Sequence, residues 1–230
     1  MTLPLVLLPG MMCDGRLFAP QIAALGRRAV HLAPLNNHDT VAALAAEVLT
    51  HAPPVFALAG LSMGGIVAME VLRQAPERVD RLALLDTNPR AELPAVQAGR
   101  APQIARALAG GLDAVMRDEM KPNYLAPGEG HAAILDLCMD MALGLGPQVF
   151  ARQSLALRDR SDQQQTLARF TAPALVLMGV HDRLCPLERH QAMHALMPKS
   201  RLVIVPDAGH LPTLENPAAT NAALLDWLNE

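Results

Sequence analysis

The sequence predicts an α/β fold: a mostly parallel sheet of about six strands with helices on both faces. Three observations lead there. Short runs rich in Leu, Val and Ala are apolar throughout rather than alternating, the mark of strands buried on both faces. Stretches of helical period separate these runs, which suits parallel strands joined by helical crossovers. The runs are mostly bounded by Gly, Pro or Asp, which favour turns.

The first strand is expected over Leu3–Leu8. The apolar start, Met1 to Gly10, has no basic residue before it, is interrupted by Pro4 and Pro9, and is too short to span a bilayer, so it reads as a buried strand rather than a signal or anchor. A helix over Ala19–Leu25, a strand over Ala29–Ala33 and a helix over Thr40–Thr50 follow, with Asp39 or Thr40 able to cap the last. Next come a strand at Val55–Ala59, a helix at Met63–Gln74 that Pro76 must end, and a strand at Leu82–Leu85. The alternation resumes with strand Ala174–Met178, helix His190–Met197, strand Leu202–Val205 and helix Pro217–Leu228. Between about Arg90 and Phe170 there is helical periodicity but no strand. Pro94, Pro102, Pro122, Pro127 and Pro147, with Gly110–Gly111, Gly128 and Gly130, cut this stretch into short helices. An insertion of that size must sit outside the sheet. The expected organisation is therefore a core of residues 1–89 and 171–230 and a helical cap of residues 90–170.

Composition narrows the function. Hydrophobic residues make up 51% and charged residues 18% of the 230, enough to bury one sizeable core and too apolar for disorder. A net charge of -3 without any basic run gives no footprint for nucleic acid, and no membrane partner is expected. Cys13, Cys138 and Cys185 are odd in number and lack metal-ligand spacing, which fits free thiols in a reduced, cytoplasmic protein.

The chemistry centres on Ser62. Val55–Ala59, then Gly60-Leu61-Ser62-Met63-Gly64-Gly65, then Ile66–Gln74 read as strand, sharp turn and helix. Gly60 and Gly64 flank the serine at two residues on either side, where any side chain would drive strand and helix into collision. A helix starting at Met63 aims free N–H groups and its positive dipole end at the serine. The plainer alternative is a glycine-rich turn with Ser62 as helix cap.

A nucleophilic serine needs a base, and the base an orienting acid. His210 follows the last strand in Pro206-Asp207-Ala208-Gly209-His210-Leu211-Pro212, at the carboxyl edge where open parallel sheets bind ligands. His31, His38, His51 and His131 lack that placement, and His190 and His194 read as surface residues on one helix. Asp182 follows strand Ala174–Met178 at the same edge; Asp86, ending Leu82–Asp86, is its rival, and Asp207 reads as a turn former. Serine, aspartate and histidine then occur in the order this architecture uses.

With these motifs the chain resembles the α/β-hydrolase family over nearly its whole length. The carriers are Leu7-Leu8-Pro9-Gly10-Met11, Ala59–Gly65, Arg78-Val79 leading into Leu82–Asp86, Gly179-Val180-His181-Asp182, Gly209-His210 and Leu214-Glu215-Asn216-Pro217. It is most similar to small, capped bacterial hydrolases. The resemblance implies a sheet that starts at the family's third strand, hence six strands. It also implies an oxyanion hole of the Met11 and Met63 backbone N–H groups, although many relatives carry His-Gly where this chain has Pro9-Gly10. A serine rather than an aspartate at position 62 disfavours the dehalogenase and epoxide-hydrolase branches.

The function expected is a carboxylesterase acting on a small-molecule ester through an acyl-enzyme on Ser62, with no cofactor and no metal. Thioesterase, lactonase, carbon–carbon bond hydrolase and cofactor-free perhydrolase activities are alternatives. So, outside catalysis, is a small-molecule receptor that keeps the triad. Met11, Met12, Met63, Met139 and Met141 are candidates for an adaptable apolar pocket, with core packing the simpler reading for Met139 and Met141. Cys13 is a further pocket candidate, and Arg152 a candidate partner for a substrate carboxylate, with an exposed surface arginine its simpler reading.

Overall fold

All six apolar runs form strands of one sheet in the computed structural model, which describes residues 2–128 and 131–230. They are β1 (Leu5–Leu8), β2 (Val30–Leu32), β3 (Phe56–Leu61), β4 (Val79–Leu85), β5 (Ala174–Gly179) and β6 (Ser200–Val205). The order across the sheet is β2-β1-β3-β4-β5-β6 and every pairing is parallel. Every residue of β1, β3 and β5 is buried, whereas the edge strands β2 and β6 are largely half-buried, as position in a sheet covered on both faces requires.

Alternate side chains of β1 feed two separate cores. Val6 and Leu8 join Leu44, Val67, Val71 and Met193 on one face, while Leu5 and Leu7 join Phe18, Leu224 and Trp227 on the other. The first face is covered by α2 (Val41–His51) and α3 (Met63–Gln74), and the second by α1 (Ala19–Ala24) and α11 (Pro217–Asn229). Caps fall where side-chain chemistry puts them: the hydroxyl of Thr40 accepts the Ala43 N–H at 3.2 Å, and Asn216 accepts from Ala219 at 3.2 Å. Proline at 76 ends α3 as a short turn, Pro76–Arg78, whose Arg78 guanidinium binds the carbonyls of Leu49, Ala52, Pro53 and Pro54. One cation thereby closes the loop between α2 and β3.

Between β4 and β5 the described residues contain helices and no strand. They are α4 (Pro94–Arg106), the single turn α5 (Leu112–Ala114), α6 (Ala132–Leu145), α7 (Pro147–Arg158) and α8 (Gln164–Ala168). Wider turns at Ala107–Gly111 and Val115–Met120 flank α5, and Gly110 (φ 96°) makes the kink. Gly146 (φ 82°) and Pro147 turn the chain by 97° between α6 and α7. Among the described residues no single helix is long and apolar enough to cross a membrane.

The last third supplies α9 (Leu187–Leu196) and the short α10 (Pro212–Glu215) ahead of α11. Helix α9 starts three residues before the expected His190, because Pro186 pre-sets the entry and Glu188 suits the first turn. His190 is not a surface residue: it is fully buried on the α9 face that also carries Met193, with Met197 buried just past the helix end.

Candidate active site

Strand register brings the carboxyl ends of β1, β3, β4 and β5 to one edge, with Leu8 beside Gly60, Leu61 beside Leu85, and Leu85 beside Leu177. The strand order also reverses between β1 and β3, so a crevice opens at that edge. Ser62 stands there, in the step between β3 and α3, at φ 55° and ψ -116°. Few L-residues occupy that region, and the surroundings hold this one in it. Its N–H donates to the Leu85 carbonyl at 2.9 Å, and Thr87 Oγ1 donates to its carbonyl at 2.7 Å. A methyl on Gly60 would strike the Gly64 backbone, and one on Gly64 would strike the Leu8 carbonyl, so only glycine lets the turn pack this tightly.

His210 comes to Ser62 from the loop after β6. Its Nε2 lies 2.9 Å from Ser62 Oγ, and its Nδ1 lies 3.0 Å from each carboxylate oxygen of Asp182. The loop is pinned by Glu215, whose carboxylate accepts the backbone N–H groups of Gly209, Leu211 and Ala126, and by the His210 N–H donating to the Tyr124 carbonyl at 2.6 Å. Asp182 Oδ1 also accepts the N–H groups of Leu184 at 2.8 Å and Cys185 at 3.1 Å. Burial works against the charge of Asp182, but His210 and these amides outweigh it and hold the carboxyl below its usual value.

Asp86, the rival acid, is not the partner of His210. It is fully buried at φ 44° beneath Asp182 and accepts the Gly179 N–H at 2.9 Å. Burial first, and the neighbouring Asp182 charge second, push its carboxyl well above the usual range, so it is the neutral member of the pair. His190 completes this layer: its Nε2 accepts the Thr87 N–H at 3.3 Å, and burial lowers its pKa to about 4, keeping the ring neutral. Asp182, Cys185 and His210, and likewise Asp86, Asp182 and His190, present ligand-type atoms within 4.8 Å of one another. Both groups share Asp182, whose oxygens are already committed to His210 and two amides.

Opposite the histidine, the turn after β1 passes close to the serine, for a methyl on Gly10 would sit 3.6 Å from Ser62 Cβ. The turn is closed by the Cys13 N–H donating to the Gly10 carbonyl at 3.1 Å, with Met12 at φ 55°. The Met12 N–H donates to Gln153 of α7 at 2.8 Å, and Gln153 in turn donates to the Leu35 carbonyl at 2.9 Å. Among the described residues, neither the Met11 N–H nor the Met63 N–H has an acceptor of its own.

A cavity of about 500 Å³ opens from this edge, with Ser62, His210, Met11, Met63 and Cys13 in its wall and α4 across from them. Three expectations need correction. Met12 does not line the cavity, because its left-handed backbone turns the side chain into the core. Met139 packs against that core as well, from α6. Arg152 points elsewhere, donating to the Asn36 carbonyl at 2.7 Å. Cys13 does reach the cavity wall, but burial pushes its thiol far up, so it stays protonated. Residues missing from the sequence reading include Thr87, Gln153, Glu92, Arg100 and Arg160. Glu215 enters the sequence motifs without a role of its own, yet the three backbone N–H groups its carboxylate accepts make it a principal brace of the histidine loop.

Comparison with known proteins identifies the family. The sequence matches the model of the "Alpha/beta hydrolase family" over residues 5–223. It is 28% identical to a pimeloyl-[acyl-carrier protein] methyl ester esterase of Xanthomonas axonopodis pv. citri (strain 306), covering 96% of this chain and 92% of that one. Among solved structures, a thermophilic esterase from Thermogutta terrifontis (malate bound) superposes with TM-score 0.90 at 28% identity, covering 99% of this chain and 89% of that one. The enol-lactonase from Burkholderia xenovorans LB400 shares the fold, with TM-score 0.88 at 24% identity over 100% of this chain and 93% of that one. The chain belongs to the alpha/beta hydrolase family.

Proposed function

We infer that the chain is a serine hydrolase of carboxylic esters, working through an acyl-enzyme on Ser62. One observation carries this reading: the unbroken hydrogen-bonded line from Ser62 Oγ through His210 to Asp182, with steps of 2.9 and 3.0 Å. The relatives named as esterases support the ester as substrate.

In the proposed mechanism His210 Nε2 takes the Ser62 proton as Oγ attacks the ester carbonyl carbon. Asp182 accepts the Nδ1 proton, which keeps Nε2 free as acceptor and stabilises the imidazolium. The uncommitted Met11 and Met63 N–H groups bind the developing oxyanion, assisted by the positive end of α3. His210 then protonates the departing alkoxide. Water, deprotonated by the same ring, releases the acid and restores Ser62. Lactone and thioester cleavage use the same steps and are the second reading, favoured by the resemblance to an enol-lactonase.

Residues 90–170 act in this proposal as a cap over a core of 1–89 and 171–230, because α4 and the end of α7 contribute cavity wall opposite the serine. The partner is a small-molecule ester, and a reducing, cytoplasmic setting fits three cysteines that are buried and free. The test is a panel of esters, lactones and thioesters run beside Ser62→Ala. Loss of at least about four orders of magnitude in kcat is expected for the variant. Turnover surviving in Ser62→Ala overturns the assignment.

A further inference from the structure

The cavity wall holds more positive charge than its own carboxylates neutralise. Glu92, in the loop before α4, is shared by two guanidiniums: Arg100 donates Nε and Nη2 to its two oxygens at 3.0 and 2.7 Å, and Arg160 donates Nη1 at 2.6 Å. All three side chains are close to nine-tenths buried or more, with exposures of 3%, 11% and 10%. A single carboxylate facing two cations leaves one positive charge over, in a chain whose net charge is -3. Arg189 of α9, which forms no ion pair among the described residues, adds a second to the same cavity.

The donors are also incompletely used. Arg100 Nη1 meets only the Met11 sulfur, at 3.8 Å, and a thioether is a weak acceptor. Arg160 spends Nε on the Arg90 carbonyl and Nη1 on Glu92 and the Leu157 carbonyl, leaving Nη2 without a partner among the described residues. The Arg189 Nη1 atom is buried and unpartnered. Burying surplus guanidinium charge is expensive unless a counter-charge arrives, and planar N–H edges match a carboxylate. Contact with Met11 also fixes the location, since the Met11 backbone forms the turn beside Ser62.

We propose that this site selects esters whose acyl chain ends in a carboxylate, half-esters of dicarboxylic acids, and that Arg100 and Arg160 receive the free carboxylate. The proposal rests on Ser62 as the nucleophile and adds the substrate class. Glu92 acts as the positioning residue: it holds both guanidiniums by their inner edges and turns their spare N–H groups to the cavity. Arg100 and Arg160 thereby fill the role that Arg152 cannot reach.

The test compares monomethyl half-esters of increasing chain length with the corresponding neutral dimethyl diesters, using the full-length protein. The half-ester is expected to exceed its diester in kcat/KM by about tenfold to a hundredfold, mainly through KM, the range for a hydrogen bond to a charged group. In Arg100→Gln and Arg160→Gln that ratio falls towards one. Should either variant fail to fold, inhibition of diester hydrolysis by free dicarboxylates in the unaltered protein replaces it; competitive inhibition that weakens with salt supports the proposal, and none overturns it. Equal hydrolysis of half-ester and diester, or an unchanged ratio in both folded variants, also overturns it. If instead no ester is cleaved in a Ser62-dependent way, the failure lies with the nucleophile and not with the arginines.

Discussion

Replacing Asp182 by asparagine should silence the site while leaving its shape intact. Asp182 Oδ1 is held by the N–H groups of Leu184 and Cys185 at 2.8 and 3.1 Å, so an asparagine must place its carbonyl oxygen there. Its NH2 group then takes the position of Oδ2, 3.0 Å from His210 Nδ1, and donates to it. A ring that accepts at Nδ1 carries its proton on Nε2, facing Ser62 Oγ, and cannot take the serine proton. The expected loss is about four orders of magnitude in kcat, or roughly 5 kcal/mol of transition-state stabilisation, with KM changed far less. Steady-state hydrolysis of an activated ester measures this directly, and circular dichroism checks that the variant is folded. A loss below about tenfold refutes the tautomer argument and, with it, Asp182 as the acid.

Four other substitutions probe the surroundings. Asp86→Asn should cost far less activity than Asp182→Asn, because Asp86 has no contact with His210 and its carbonyl can still accept from Gly179. It should also alter the pH dependence of stability. A carboxyl raised in the folded state binds its proton more tightly there than in the unfolded chain, so stability falls as pH rises from the ordinary carboxylate range through the raised value. Asparagine lacks that slope, and its advantage in melting temperature should widen with pH; a constant gap contradicts the assignment. Glu215→Gln offers one oxygen where three N–H groups converge, and kcat is expected to drop by about tenfold or more as the histidine loop loosens, read by hydrolysis rate and by hydrogen exchange at Gly209–Leu211. Gly64→Ala, meeting the rigid Leu8 carbonyl, should destabilise by more than about 4 kcal/mol, whereas Gly144→Ala in α6, with open space around it, should gain about 0.5–1 kcal/mol in chemical denaturation. Similar values for the two glycines contradict the packing account.

The sheet and the serine turn were legible because their constraints are local. Gly60 and Gly64 lie two residues from Ser62, and a short apolar run bounded by turn formers has few ways to be buried. Position after a strand puts His210, Asp182 and Asp86 at the same edge but does not rank the two carboxyls. What decides between the two carboxyls is a contact spanning 28 residues of chain, which spacing alone does not fix. The pocket candidacies of Met12 and Arg152 failed for the same reason, while core packing, the simpler reading, holds for Met139: which side of a turn or of α6 and α7 faces the cavity depends on tertiary partners such as Gln153, bonded to Met12 across 141 residues. His190 did carry a signal, since Met193 and Met197 follow at helical spacing on its face. The Glu92, Arg100 and Arg160 cluster had none, because two surface-like arginines become cavity residues only when α4 and the segment following α7 meet over the sheet edge.

In the proposed mechanism Ser62 carries the acyl group. Intact-protein mass spectrometry after incubation with a fluorophosphonate, followed by peptide mapping, tests it. A single adduct on Ser62, formed slowly or not at all in His210→Ala and coinciding with loss of ester hydrolysis, is the predicted result. An adduct elsewhere, or hydrolysis that persists once Ser62 is fully modified, contradicts it.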